Sequence, residues 1–220
     1  MAARRADSSS LESALTLLDE HYNAFVASRP FAARTGHPVP SDTRAWSQIL
    51  VSILTGIPGL ERKKGADLSD GSDVKAANVW SAIDTPRFNN CIPAGRVSQK
   101  SKKAPDVSAL DDTPHIFFVL WDEMRDKRLP RCRVWCVRAK DDRIFRQVCA
   151  KWYQQYSAGD VSNNFQLHPP RNQDHNVIRN TCGNMEFPLL FCAVRKSDHF
   201  ELVHFDSDVL VRGRCRLVQN

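Results

Sequence analysis

The sequence predicts a mixed α/β fold in which a mixed central sheet is flanked by helices. Three stretches place apolar residues at helical spacing, which is typical of amphipathic helices packed on a core. Between and after them, short runs rich in β-branched and aromatic residues favour strands. The 220 residues, of which 42% are hydrophobic, suffice for one domain with a sizeable core.

The first helix begins with a capping-box pattern formed by Ser9 and Glu12. An apolar stripe follows, and Arg29-Pro30 predicts the end of the helix because proline disrupts a helix interior. We interpret residues 1–40 as an N-terminal helix or arm and as a candidate dimer contact.

The second helix is expected to begin at Ser41 or Asp42, either of which can cap it, and to end at Thr55-Gly56. Its apolar face predicts packing on the core. Residues 41–220 form the main domain in this interpretation.

Asp70-Gly71 predicts a tight hairpin turn of type I′, in which both central residues need a positive φ. We expect its two strands at about residues 66–69 and 72–77. From about 89 to 114 the residues are polar and basic without periodicity, which predicts a long loop.

The remainder of the chain predicts one more helix among several strands. Asp141 begins this helix and Gly159 ends it. A polar turn at 196–198 joins the last two strands. The strands are expected at 115–121, 132–138, 165–167, 188–194 and 200–205.

Two carboxylates and a lysine converge on the predicted hairpin. Asp73 and Lys75 are two residues apart in one strand, so their side chains leave the same face, and Asp67 lies across the turn. Mg²⁺ prefers carboxylate oxygens and keeps several waters, and the carbonyl of Val74 is a further candidate ligand. Lys75 can position or deprotonate an attacking water, or stabilise charge on a phosphate.

Simpler interpretations stay open for each of these residues. A charged hairpin on a solvated face is common, and Asp-x-Lys is too short to be specific. Asp70 competes with Asp67 for the role of first carboxylate, although a turn role is favoured because Asp-Gly is needed there on backbone grounds. Glu61 is a further candidate ligand, with a surface charge as the simpler interpretation.

The segment resembles the active-site hairpin of PD-(D/E)XK nucleases, particularly type II restriction endonucleases with a short gap between the motif halves. Gly65-Ala66-Asp67 and Asp73-Val74-Lys75 carry the resemblance, and the continuation from Ala76 to Asn89 is similar to MamI-type restriction enzymes. It implies metal ligands at Asp67 and Asp73 and a catalytic Lys75. Two departures are Ala66, where the family often has Pro, and Asp73, where Glu is commoner.

The resemblance implies a restriction-endonuclease-like core within about residues 41–168. Its order would be a helix, a three-strand meander, a crossover helix and a fourth strand, here near Phe165. The third core strand is either 115–121 or 132–138, because the gap between them is too short for a crossover helix. The second is the better candidate, since it precedes the helix at 141–157.

The charge distribution favours a polyanionic partner. The net charge is +6, and residues 125–151 carry ten Lys/Arg against three Asp. Polar side chains after the catalytic strand suit base edges, and the basic residues at 96–103 suit phosphates, although ordinary solvated loops are the simpler interpretation. The candidate DNA contacts are Asn78, Ser81, Arg87, Asn89, Arg96, Lys100, Lys102, Lys103, Arg171, Asn172 and Gln173.

Other classes of site find little support. The seven cysteines lack the spacing of a disulfide framework or a zinc site, so buried free thiols in a cytoplasmic protein are expected. No apolar run approaches the length of a membrane span, and no glycine-rich phosphate loop occurs.

We therefore expect a type II restriction endonuclease of a prokaryotic cell. It would use Mg²⁺ to cut double-stranded DNA at a short specific sequence and leave 5′-phosphates. A palindromic site and a homodimer would go together. The alternatives are a repair nuclease or resolvase of the same fold, and a non-catalytic DNA-binding protein.

Overall fold

A computed structural model describes residues 7–40, 42–60, 65–80, 82, 85–93 and 106–219. It shows a mixed sheet flanked by helices, which confirms the predicted α/β class. The helices are α1 (Ser8–Thr35), α2 (Arg44–Thr55), α3 (Arg143–Ala158) and α4 (Val209–Arg212), with a 3-10 helix at Val107–Leu110. The strands are β1 (Asp73–Asn78), β2 (Ile116–Glu123), β3 (Pro130–Val137), β4 (Val177–Ile178), β5 (Asn184–Glu186), β6 (Leu189–Lys196), β7 (His199–Phe205) and β8 (Arg216–Val218).

The central sheet has five strands in the order β1-β2-β3-β6-β7. Strands β1 and β2 are parallel, and the other neighbours are antiparallel. A smaller sheet has the order β4-β5-β8. Both candidates for the third core strand, β2 and β3, therefore belong to the same sheet, where they form an antiparallel pair.

The apolar core lies on both faces of the central sheet. Phe117 and its alternate neighbours pack with Leu18 of α1 and Leu50 of α2, whereas Phe118 packs with Phe145 of α3. Strand β2 is apolar from Ile116 to Trp121, because helices cover both of its faces. No helix in the described part of the chain is long and apolar enough to cross a membrane.

The predicted hairpin around Asp70-Gly71 is wrong. Of its two expected strands only β1 forms, and its sheet partner is β2, whereas Leu68 makes an isolated bridge to Gly59. The turn is also not of type I′, since Gly71 has a positive φ of 95° and Asp70 does not. Gly71 is required because a Cβ there would lie 2.8 Å from the carbonyl oxygen of Asp112.

Helix α1 begins earlier and ends later than the sequence predicts. Asp7 caps it by accepting a hydrogen bond from Ser10 N (2.9 Å), so the capping box at Ser9 is wrong. Pro30 lies inside the helix, which continues to Gly36, where a left-handed conformation ends it. Proline removes its own N–H from the ladder and crowds the carbonyl four residues earlier, and the packing of α1 against α2 and β7 offsets this cost.

The other two long helices differ from prediction only at their first residues. Helix α2 has Thr43 as its N-cap, one residue beyond Asp42, whose carboxylate accepts from Arg44 N (2.9 Å). Ser41 lies outside the described residues. Helix α3 is capped by Asp142, not Asp141, and Gly159 ends it as predicted.

The expected short strand at 165–167 is absent, and with it the predicted fourth core strand after the crossover helix. Leu167 and His168 make isolated bridges to Phe88 and Arg179 instead. Strand β6 follows α3 in the central sheet, antiparallel to β3. The predicted strands at 188–194 and 200–205 are confirmed as β6 and β7.

A buried ionic network fixes the loop at 169–176 to one end of the sheet. Asp122, fully buried, accepts hydrogen bonds from Arg131 (2.9 Å) and Arg133 (2.7 Å), and from Asn172 N (3.0 Å). Arg131 also donates to Gln173 O (2.9 Å). Charges of opposite sign thus satisfy one another where water is excluded.

We expect Asp122→Ala to reduce the free energy of unfolding by about 3–5 kcal/mol, because it leaves two buried guanidinium groups without their carboxylate. Urea denaturation measures the loss. Asp126→Ala, at an exposed carboxylate nearby in the chain, is the control. A loss no larger than that of the control would contradict the structural role of the network.

Candidate active site

Strand β1 presents Asp73 and Lys75 on the same face. Lys75 Nζ lies 2.7 Å from Asp73 Oδ2, and the lysine side chain is 20% exposed. The main chain of the strand is held by parallel pairing, in which Asp73 N donates to His115 O (3.1 Å). The strand alternation that predicts this pair is therefore present in the structure.

Asp67 reaches the same place without belonging to a strand. Its Oδ2 accepts from Val74 N (2.9 Å), and its Oδ1 accepts from Gln48 Nε2 (2.6 Å). Arg44 lies 3.6 Å from Oδ1, and the Asp67 side chain is 7% exposed. Main-chain hydrogen bonds from Leu60 N and to Ser72 O hold the residue in position.

The two carboxyl groups interact with each other. The pKa of Asp73 is raised to about 6, chiefly by burial and next by a hydrogen bond with the Asp67 carboxyl, while Lys75 acts in the opposite direction. One ammonium group thus does not compensate for two carboxylates in a confined site. A divalent cation would do so, which is a chemical reason to place one there.

The carbonyl of Val74 supplies a third oxygen. Since N–H and C=O of one strand residue point to the same side, this carbonyl faces away from β2, as does the N–H that donates to Asp67. In the ranges that the structure describes, no group of three or more His, Cys, Asp or Glu side chains gathers around a metal position. Two carboxylates with a carbonyl nevertheless suit Mg²⁺, which leaves the remaining positions to water and phosphate oxygens.

Asp70 is engaged in the turn. Its carboxylate accepts from Ser72 N (2.9 Å) and from Ser72 Oγ (3.0 Å), an arrangement that stabilises the start of β1. Glu61, the other competing acid, lies outside the described residues.

An open cleft of about 680 Å³ gives access to Lys75 and Asp67. Its walls carry three of the candidate DNA contacts, Asn78, Arg87 and Asn89. An adjoining cavity of about 370 Å³ contains Asp73 and shares Asn90 with the cleft. Five other candidates lie outside the described residues: Ser81, Arg96, Lys100, Lys102 and Lys103.

The remaining candidates, Arg171, Asn172 and Gln173, lie on the loop that the Asp122 network holds. The Asn172 side chain accepts from Glu123 N (3.2 Å), so its oxygen is occupied within the protein. Arg171 and Gln173 line a separate cavity of about 430 Å³. The structure thus separates these residues from the cleft that contains Lys75.

Sequence reasoning missed Arg44 and Gln48. Both are four residues apart on α2, so they share one face of the helix, and both contact Asp67. The sequence carries a signal for this pair, because Arg44 and Gln48 are polar residues on one face of a helix whose sequence is largely apolar. Only the packing of α2 shows which residue they contact.

The MamI restriction endonuclease family matches residues 30–204, a range that includes Asp67, Asp73 and Lys75. The chain belongs to this family. The type II restriction enzyme MamI of Microbacterium ammoniaphilum is 34% identical over 164 residues, which cover 71% of this chain and 53% of that enzyme. The chain therefore spans about half the length of this relative, and no solved structure matches it significantly.

Membership of the MamI family confirms the resemblance predicted from the short motif around β1. All seven cysteines are free and buried, as expected.

We expect Asp73→Asn to stabilise the metal-free protein at neutral pH. The pKa of Asp73 is raised from about 4 to about 6 on folding, so the unfolded chain binds fewer protons in that window and stability falls as pH rises through it. The substitution should remove this loss, worth about 1 kcal/mol for a partly exposed group, or about 2–4 °C in Tm.

Thermal denaturation in EDTA at pH 7.5 and pH 4.5 measures the effect. The gain should be present at the higher pH and absent at the lower one. Asp160→Asn, at an exposed carboxylate, should change neither value. An equal or lower Tm for Asp73→Asn at pH 7.5 would show that folding does not raise the pKa of Asp73.

Proposed function

We propose that the protein is a type II restriction endonuclease that hydrolyses phosphodiester bonds of double-stranded DNA at a short specific sequence. The observation that carries the proposal is the meeting of Asp67, Asp73 and Lys75 beside an open cleft, in a chain of the MamI family. The basic charge of the chain supports a polyanionic substrate.

The residues of the site fit Mg²⁺. Asp67, Asp73 and the carbonyl of Val74 would hold it. When bound, the ion would polarise the scissile phosphate and lower the pKa of a bound water. The contacts of Gln48 and Val74 N with Asp67 orient that carboxylate before the ion arrives.

Lys75 supplies the positive charge of the chain itself at this position. Its ammonium group is held by Asp73 at 2.7 Å and remains partly exposed to the cleft. From there it can orient the attacking water or stabilise negative charge on the phosphoryl oxygens. Attack of this water on phosphorus would break the bond to the 3′ oxygen, which gains a proton and leaves as a hydroxyl, while the phosphate stays on the 5′ end.

A homodimer that reads a palindromic site is part of the same proposal. A two-fold axis in the protein matches a two-fold axis in the DNA.

We expect Lys75→Ala to reduce cleavage of plasmid DNA about 10²–10⁴-fold with Mg²⁺ present, because it removes the charged group next to the reacting phosphate. Binding of duplex DNA in EDTA should be retained. Gel electrophoresis of the plasmid and fluorescence anisotropy of a labelled duplex measure the two properties. Lys151→Ala, at an exposed lysine of α3, is the matched control.

The wild-type products decide between the candidate functions. Discrete fragments that require a divalent ion support a restriction enzyme. Smeared products or structure-specific nicks would indicate a repair nuclease or resolvase. Binding without cleavage would indicate a non-catalytic DNA-binding protein, and unchanged cleavage by Lys75→Ala would overturn the assignment of the site.

A further inference from the structure

Three short segments lie side by side next to the cleft, and we call them the ribbon: residues 87–91, 164–168 and 177–179. Phe88 and Leu167 exchange two main-chain hydrogen bonds of 2.9 and 3.0 Å. His168 and Arg179 exchange two more, also of 2.9 and 3.0 Å. These antiparallel bridges set the direction in which each side chain of the ribbon points.

The ribbon has one apolar face and one polar face. Phe88, Leu167 and Ile178 are fully buried in the core on the α3 side of the sheet. Because neighbouring residues of an extended segment alternate, the residues beside them face outward. Five of these outward residues are polar, namely Arg87, Asn89, Gln166, His168 and Arg179, and Val177 is apolar.

Positive charge gathers on the polar face. Arg87, Arg179 and the nearby Arg171 are exposed. Burial lowers the pKa of His168, and Arg179, Arg87 and Arg171 each lower it further, so all three guanidinium groups act on the same imidazole. Such a concentration of like charge is unfavourable by itself and favours an anion.

The neighbouring acids are already paired with other groups. Asp174 contacts Arg131 at 2.7 Å. Glu186, which lies opposite Val177, is 3.9 Å from Arg216. These two carboxylates are therefore engaged away from the arginines of the ribbon.

The ribbon connects the active-site cleft with the second cavity. Arg87 and Asn89 line the cleft that contains Lys75. Arg171 and Arg179 line the cavity of about 430 Å³, and Arg179 is bridged to His168. A chain of phosphates that leaves the cleft along the ribbon would pass these side chains in order.

We propose that the polar face of the ribbon binds the phosphates of the DNA backbone next to the cleaved bond, through Arg87, His168, Arg171 and Arg179. The inference rests on the proposed function, since it extends the path of the same substrate. Guanidinium groups donate several hydrogen bonds to phosphate oxygens. When they neutralise phosphates, counterions are released from the DNA, and this supplies affinity that does not depend on base sequence. The Asp122 network holds the loop that carries Arg171, so the position of this loop is fixed before DNA binds.

The test uses Arg171→Gln and Arg179→Gln, singly and together, in the full chain. Binding of a labelled 30-base-pair duplex is measured by anisotropy in EDTA at several salt concentrations, with two duplexes of unrelated sequence. Each substitution should lower the slope of log K against log salt by about 0.9, and should weaken binding about fivefold at 150 mM salt. The effect should be the same for both duplexes.

Controls separate phosphate binding by Arg171 and Arg179 from a general loss of charge or of stability. Arg212→Gln, at an exposed arginine of α4, should leave the slope unchanged. Arg171 and Arg179 are exposed, so the Tm of their variants should match that of the wild type.

The outcomes distinguish this inference from the proposed function. If the arginine variants show a reduced slope but the wild-type protein does not cut DNA, phosphate binding by these arginines is supported and the nuclease proposal is overturned. An unchanged slope in both arginine variants, with cleavage still dependent on Lys75, would overturn the proposed phosphate binding and leave the proposed function intact. A loss of affinity for one duplex only would show that these arginines read bases, and would also overturn the proposal.

Discussion

The geometry of the candidate active site depends on one hydrogen bond at the open edge of β1, which Val74 N donates to Asp67 Oδ2. Strand β2 takes one side of β1, so alternate main-chain groups of β1 point to the other side. Asp67 reaches one of these groups from a turn and not from a paired strand. The bond therefore brings a residue six positions earlier in the chain next to Asp73, and the rest of the site is arranged around this pair.

This arrangement opposes folding in the absence of a cation. Burial, and after it the neighbouring Asp67 carboxyl, raise the pKa of Asp73 to about 6, and Lys75 offsets this rise only in part. The rest of the fold offsets this unfavourable contribution to folding. Apolar side chains cover both faces of β2, and the buried Asp122 network holds the other end of the sheet. A stable scaffold thus holds a site that is unfavourable until it is occupied, a common property of catalytic centres.

Prediction from sequence succeeded where an apolar pattern extends over many consecutive residues or where the contact joins residues close together in the chain. The apolar run of β2 and the helical stripe of α3 were both placed to within two residues. It failed where tertiary contacts decided the outcome. Leu68 pairs with Gly59, because β1 pairs with the distant strand β2. Leu167 forms only a bridge, to Phe88, which lies far away in the chain. Pro30 did not end α1, whose length depends on packing against α2 and β7.

By itself, the sequence determined the mixed α/β class, the shared face of Asp73 and Lys75, and the family. These follow from local periodicity, from strand alternation and from a contiguous motif, none of which needs contacts between distant residues. Only the tertiary structure decided that β1 pairs with β2, that Gln48 and Arg44 hold Asp67, and that Arg87, His168 and Arg179 share one surface. The physical reason is that each of these contacts joins segments separated by many residues, and their meeting depends on how the whole core packs.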